Sequence, residues 1–383
     1  MYEELRKHKH IVFGAEHYNP LGIVRSLGES GISPIGIILQ SDRPVTSKSK
    51  YMKTKHFVNN VEEGYELLLS IYGNEKYKPF IYTSDDQVTN YLDDKYEDIC
   101  NKFFFFNAGE KGRVAVFQNK DTILKIANKH GLNVLKTYTV KKGEIPDDIE
   151  YPIITKAIIS TLDHWKGDMF ICNNEEELKE AYKKIRSEKV LLQKYIIKKN
   201  ELCLEGVSVN RGKESVVTIA STYNYINAET YSHYMTVNNL NDINLENKLK
   251  GIIEEIGFEG IFEVEFLVGA NNDLYFLEIN FRNSTWSYAS TIAGMNLPIS
   301  WALGMINPEK IHDVYKKIPE PFMGIVEFDD YRHRVCEQHM GRLKWLKDYK
   351  NSRCKYYTGR NDIMPLLSVI KCKIWKDLIK KEG

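Results

Sequence analysis

The chain has 383 residues, 43% of them hydrophobic and 27% charged, and a formal net charge of +1. That length suits two or three packed units, the balance is that of an ordinary globular protein, and near-neutrality names no polyanionic partner. The charged stretch Met1 to His10 lacks the apolar run of a signal peptide, and no window approaches the roughly 20 apolar residues that span a bilayer, so the expected setting is the cytoplasm with no membrane span.

In chain order, His10 to Gly14, Ser33 to Leu39, His56 to Val58, Phe80 to Thr83 and Lys102 to Phe106 are continuous apolar runs, the pattern of strands buried on both faces of a parallel sheet. Between the first two, Leu21, Ile23, Val24 and Leu27 recur at helical spacing before Gly31, which completes a βαβ unit. From Asn119 the texture changes. A helix with Asp121 as its cap runs to Gly131, Tyr151 to Ile159 and Val190 to Ile197 are strands flanking the helix Glu175 to Ile185, and Leu245 to Ile256 is an amphipathic helix. Glu201 to Val209, Val216 to Ala220, Ile261 to Val268 and Leu274 to Ile279 alternate apolar and polar residues, as antiparallel strands covered on one face do. Beyond Pro308 the chain turns basic and aromatic, with helices expected around Tyr331 to Lys350 and Met364 to Lys381. The six cysteines are scattered without a C-x-x-C pair, a poor basis for a disulfide framework.

The segment Gly260 to Arg282 carries the most chemistry. Two strands joined at Gly269 to Asp273 place Glu265 near the end of one and Glu278 near the end of the next, with Asn280 and Arg282 following at alternate positions on the same face. Acidic residues at alternate strand positions are most often a solvated face. Here they sit among Phe262, Phe266, Tyr275, Phe276 and Leu277, where unpaired carboxylates are costly unless a cation compensates them. Two carboxylates and an amide oxygen match the hard donors magnesium prefers, and Arg282 offers a planar fork suited to phosphate.

This segment resembles the metal-binding end of the ATP-grasp superfamily, a Glu on one strand followed by Glu-x-Asn-Pro-Arg on the next, with Phe281 where relatives carry proline. The resemblance continues upstream: Asn119-Lys120-Asp121 resembles the first nucleotide lysine and its helix, and Tyr151 to Lys156 the strand whose lysine reaches the phosphates. Val190 to Ile196 resembles the hinge that meets adenine, Gln193 standing where many relatives have glutamate, and Glu201 resembles the acid that holds the ribose hydroxyls. The implied nucleotide set is Lys120, Lys156, Gln193, Lys194, Ile196 and Glu201, the implied metal set Glu265, Glu278 and Asn280, with Arg282 and Lys156 as catalytic cations. Ser160 to Asp168 takes the position of a lid over the phosphates, though it holds a single glycine. Asn19 to Gly28 and Thr83 to Asp86 resemble the domain preceding ATP-grasp in the branch with D-aspartate ligases, carbamoyl-phosphate synthase-like and polysaccharide-associated proteins, which makes Asn19, Arg25 and Asp85 substrate-site candidates, with helix capping as the plainer role for any one of them.

The expected architecture is therefore α/β and α+β: a parallel-sheet domain over 1–115, a two-lobed ATP-grasp fold with antiparallel sheets over 116–310, and a basic helical extension over 311–383. Within the middle unit the nucleotide lobe carries the lid at about 155–200 and the metal lobe covers about 201–310. The implied function is ATP-dependent carboxylate-amine ligation with ATP and two magnesium ions, or manganese, acting on small molecules and no nucleic acid, with a homodimer compatible. A kinase that stops at phosphoryl transfer and a nucleotide-binding regulatory protein are the alternatives. His333, Cys336 and His339 recur at zinc-like spacing but lack an evident fourth ligand, and the basic tail suits a docking surface or an anionic substrate better than a nucleic acid.

Overall fold

Four of the apolar runs near the N-terminus pair as a parallel sheet, β1 (His10–Ala15), β2 (Ile35–Leu39), β3 (Thr54–Val58) and β4 (Phe80–Thr83), in the order β3-β2-β1-β4. The fifth, around Phe104, makes only a bridge to Phe80. This is a computed structural model describing residues 2–158, 165–226, 232–359 and 361–372. One face of the sheet is covered by the helix Val61–Tyr72, held through Phe13, Ile37, Tyr65 and Leu68. The other face meets the rest of the chain at Trp301, whose ring lies 5.2 Å from that of Tyr82 and 4.7 Å from that of Phe106.

A second, antiparallel sheet is formed by β5 (Thr137–Lys141), β6 (Ile153–Ala157), β7 (Ile171–Cys172) and β8 (Lys189–Lys194) in the order β5-β8-β6-β7. The helix Glu175–Lys184 covers it through Leu178, Ala181 and Tyr182, giving this lobe a small core of its own. The third sheet has seven strands: β9 (Asn200–Val209), β10 (Glu214–Tyr223), β11 (Tyr234–Asn238), β12 (Gly260–Val268), β13 (Leu274–Asn280), β14 (Phe322–Ile325) and β15 (Cys354–Lys355), in the order β13-β12-β9-β10-β11-β14-β15. The helix Ile243–Ile256 packs Leu249, Ile252, Ile253 and Ile256 into the same core as Phe262 and Val264.

The C-terminal region departs from the expected helical extension. It adds β14 antiparallel to β11 and β15 parallel to β14, so it completes the large sheet. The helix expected around Tyr331 to Lys350 is broken into an α-turn at Glu327–Tyr331, a π-helix at Arg332–Glu337 and the helix Arg342–Asn351. Of the helix expected over Met364 to Lys381, residues 364–372 are helical and the remainder lies outside the described residues. Arg25, a substrate candidate by sequence, is instead a structural pin. Its wholly buried guanidinium donates to Asp362 Oδ2 at 3.0 Å, to the Tyr356 carbonyl at 2.5 Å and to the Tyr357 carbonyl at 3.1 Å, so it clamps the C-terminal region to the first helix, Tyr18–Glu29, and has no surface left for a substrate.

Candidate active site

Alternation along paired strands builds the site. In the β12–β13 ladder Glu265 stands opposite Glu278 and Glu263 opposite Asn280, while in the β12–β9 ladder Glu263 stands opposite Glu205 and Leu267 opposite Glu201. Residues two apart on a strand share a face, so Glu201, Glu205, Glu263, Glu265, Glu278 and Asn280 form one polar patch on an otherwise apolar sheet. Phe281, the residue in place of proline, is fully buried with its ring 4.9 Å from that of Phe258, which anchors the chain between Asn280 and Arg282.

Three cations face this patch. Lys120 Nζ lies 2.8 Å from Glu278 Oε2. Lys120 opens the helix Lys120–Lys129, whose cap is Asn119 and not Asp121: the Asn119 side chain accepts from the amides of Asp121 and Thr122. Lys156, on β6, donates to Gln193 Oε1 at 2.8 Å, and Gln193 Nε2 donates to Thr137 Oγ1 at 2.9 Å. Arg282 donates from Nε to Asp86 Oδ1 at 2.7 Å and from Nη2 to Asn280 Oδ1 at 3.3 Å. Charge crowding shows in the ionisation of these groups. Lys120 holds the Glu278 carboxyl below the usual carboxylate range, whereas burial, then Glu263 and Glu278, push Glu265 well above it. Burial, with Lys120 adding to it, pulls the Lys156 ammonium down to about 8. Burial opposes the charge of Arg282, but Asp86, with Glu263 and Glu265 beyond it, outweighs that and keeps it protonated.

Burial raises Glu205 to about 7 against the hydroxyls of Ser284 and Ser287, the latter donating to Oε2 at 2.6 Å, and burial followed by Glu205 raises Glu263. A row of buried carboxylates with too few cations is the setting in which a divalent ion is favourable, so the donor set fits magnesium. Among the described residues no three acidic, histidine or cysteine side chains form a ready cage, and Asn280 turns its Nδ2 toward Glu265, at 2.9 Å, and Glu263, at 3.0 Å.

The other expected residues fall as follows. Glu201 pairs with Lys198 at 2.5 Å. The Lys194 amide donates to the Lys136 carbonyl at 2.8 Å and its ammonium to the Tyr151 carbonyl at 3.1 Å, so its polar hydrogens face the small sheet, while Ile196 lies past the end of β8 and outside the ladder. Asp85 caps the helix Asp86–Asp94 by accepting from the amides of Gln87 and Val88, the plainer role expected of it; the acid that reaches Arg282 is its neighbour Asp86. The Asn19 carbonyl accepts from Asn283 Nδ2 at 3.4 Å, and its side-chain oxygen is buried without a partner among the described residues. Asp86, Glu205 and Glu263 escaped the sequence reading, although Glu263 carried a signal in its spacing of two from Glu265 and Glu205 in its spacing of four from Glu201. Ser160 to His164 of the expected lid lie outside the described residues. His333 is buried with its ring 4.9 Å from that of His233, and Cys336 is exposed, so the zinc-like spacing brings no cluster together.

Residues 125–290 match the ATP-grasp domain, a span that holds every site residue named above from Lys156 to Arg282 and begins just after Lys120. Over 172 residues the chain is 28% identical to the N5-carboxyaminoimidazole ribonucleotide synthase of Staphylococcus aureus; the match covers 43% of this chain and 45% of the relative, less than half of each. It is 26% identical over 224 residues to the D-alanine–D-alanine ligase of Fusobacterium nucleatum, covering 51% of this chain and 73% of that one. The crystal structure of an L-amino acid ligase from Bacillus licheniformis superposes with a TM-score of 0.65 over 83% of this chain and 80% of that one, at 12% identity, a likeness of fold.

Proposed function

We propose that this chain, which carries an ATP-grasp domain, is an ATP-dependent carboxylate-amine ligase working through an acyl phosphate. The observation that carries the reading is the meeting of Lys120, Lys156 and Arg282, from three separate elements, with the paired carboxylates Glu265 and Glu278. Binding of a nucleotide alone needs no such set, whereas transfer of a phosphoryl group is mostly positioning and charge stabilisation of this kind.

In this reading Lys120 and Lys156 hold the ATP phosphates, and Glu201 and the chain around Ile196 hold the nucleoside. Glu265, Glu278 and Asn280 are the residues that would hold magnesium, which when bound would supply neutralisation of phosphate charge. A substrate carboxylate oxygen attacks the γ-phosphorus, the bond to the β-phosphate oxygen breaks, and ADP leaves. Arg282, already oriented by Asp86, stabilises the charge that gathers on the transferring group. An amine then attacks the acyl carbon, loses a proton, and expels phosphate. The relatives named above act on different substrates, so the carboxylate and amine are sought by a screen that begins with amino acids and sugar acids. The test is ADP release with candidate pairs, followed by hydroxylamine in place of the amine. Hydroxamate, together with ADP release that depends on a carboxylate and a stoichiometric amide with the natural amine, supports a ligase. ADP and a phosphorylated product whatever amine is supplied would make it a kinase.

A further inference from the structure

We infer that the outward face of the helix Arg342–Asn351 is a docking surface for an anionic lipid bilayer, on which the protein lies peripherally. Charge is unevenly placed along this chain. Residues 332–355 carry eight cationic side chains and two acidic ones, a net +6 in a chain of total +1, so the remainder carries −5. Both acids are engaged within the segment: Asp348 pairs with Arg334 at 2.7 Å and Glu337 lies 3.6 Å from Arg332.

Trp345 is the buried side chain of this helix, which Asp348 also ties to Arg334. Trp345 donates from its ring nitrogen to Asp330 Oδ2 at 2.8 Å and lies between the rings of Tyr331 and Tyr349. Leu343 is 84% exposed and Leu346 51%, while Arg342, Lys344, Lys347 and Lys350 are all exposed and, among the described residues, have no acidic partner. Positions 343, 346, 347 and 350 fall on one helical face. Two free leucines set among unpaired cations call for a surface that is negative and also able to receive apolar side chains. A bilayer of acidic phospholipids offers both, through its headgroups and its acyl boundary. A polynucleotide offers only the first. No described helix is long and apolar enough to cross a membrane, so the contact lies on the bilayer. The net negative remainder is repelled by the same headgroups, which turns the basic face toward them. None of these residues belongs to the ATP site, so this inference and the proposed function stand or fall separately.

The test uses the full chain and sedimentation with vesicles of phosphatidylcholine alone or with about 30% phosphatidylserine. Binding should require phosphatidylserine and weaken as salt is raised. Lys347→Glu with Lys350→Glu should weaken it about tenfold or more, and Leu343→Ser with Leu346→Ser about threefold or more, with unchanged melting temperature and circular dichroism. Equal binding to both vesicles, or serine variants that bind like the native chain, would overturn the inference. So would an RNA oligonucleotide that binds as tightly as the vesicles and ignores the serine substitutions, which would assign the face to polynucleotide.

Discussion

Lys156 makes the site's electrostatics measurable through pH. Its ammonium, desolvated beside Lys120, gives up its proton at about 8 where a free lysine does so at 10.5. At about 1.36 kcal/mol per pH unit the difference amounts to about 3 kcal/mol of charge held at a disadvantage before any ligand arrives. ATP phosphates would restore the ordinary value, so above pH 8 binding must take up a proton, and affinity should fall by up to about tenfold per pH unit. The measurement is calorimetric titration of ATP from about pH 7.5 upward, where phosphate no longer titrates, in buffers of different ionisation enthalpy to count protons. Lys156→Arg keeps its charge throughout and should give a flat profile. Stability of the unliganded protein should move the other way. The unfolded lysine holds its proton up to 10.5 and the folded one only to about 8, so the unfolded state binds more protons in that window and stability rises with pH across it. A native affinity that stays flat above pH 8, or an arginine variant that falls in parallel with it, would refute the placement of Lys156 against the phosphates.

Glu278→Gln should lower ATP turnover by more than about 100-fold while the protein stays folded, because it removes one of the two opposed carboxylates proposed to hold magnesium; full activity in a folded variant would remove the metal assignment. Arg282→Ala should suppress hydroxamate and amide formation alike, by about 100-fold, since both pass through the step it stabilises, and normal hydroxamate yield would withdraw its role. Arg25→Ala should destabilise the fold by about 3–5 kcal/mol, because it leaves the Asp362 carboxylate buried without its partner, and a chemical denaturation midpoint equal to that of the native chain would contradict this.

Much of the site was legible because strand alternation is a local property. The spacing of Glu278, Asn280 and Arg282 puts them on one face whatever the strand pairs with, and the turn at Gly269 to Asp273 supplies the neighbour that brings Glu265 opposite Glu278. What stayed hidden depends on partners far along the chain. Glu205 and Glu263 become a pair only because β9 and β12 are adjacent, and Asp86 reaches Arg282 across 196 positions of sequence. The C-terminal strands were missed for a related reason: β14 and β15 are four and two residues long, too short for a period to declare itself. Arg25 shows the opposite error. Its position in a family-like turn suggested a ligand, but a charged side chain on a helix gives no sign of whether it will meet solvent or a carboxylate 337 residues later.

That separation sets an order of events during synthesis. Asp362 is synthesised 337 residues after Arg25, and at about 5–20 residues per second the interval is about 17–70 s. Throughout it, the first helix presents a guanidinium whose native counterion has not yet been made, on a surface that β14, β15 and the Glu327 carboxylate have yet to close. The N-terminal sheet can assemble while the chain is growing, but its final seal waits for Asp362. Nascent chains arrested before Asp362 should therefore be cleaved readily by protease at the unsealed surface, and released chains that include Asp362 should resist it.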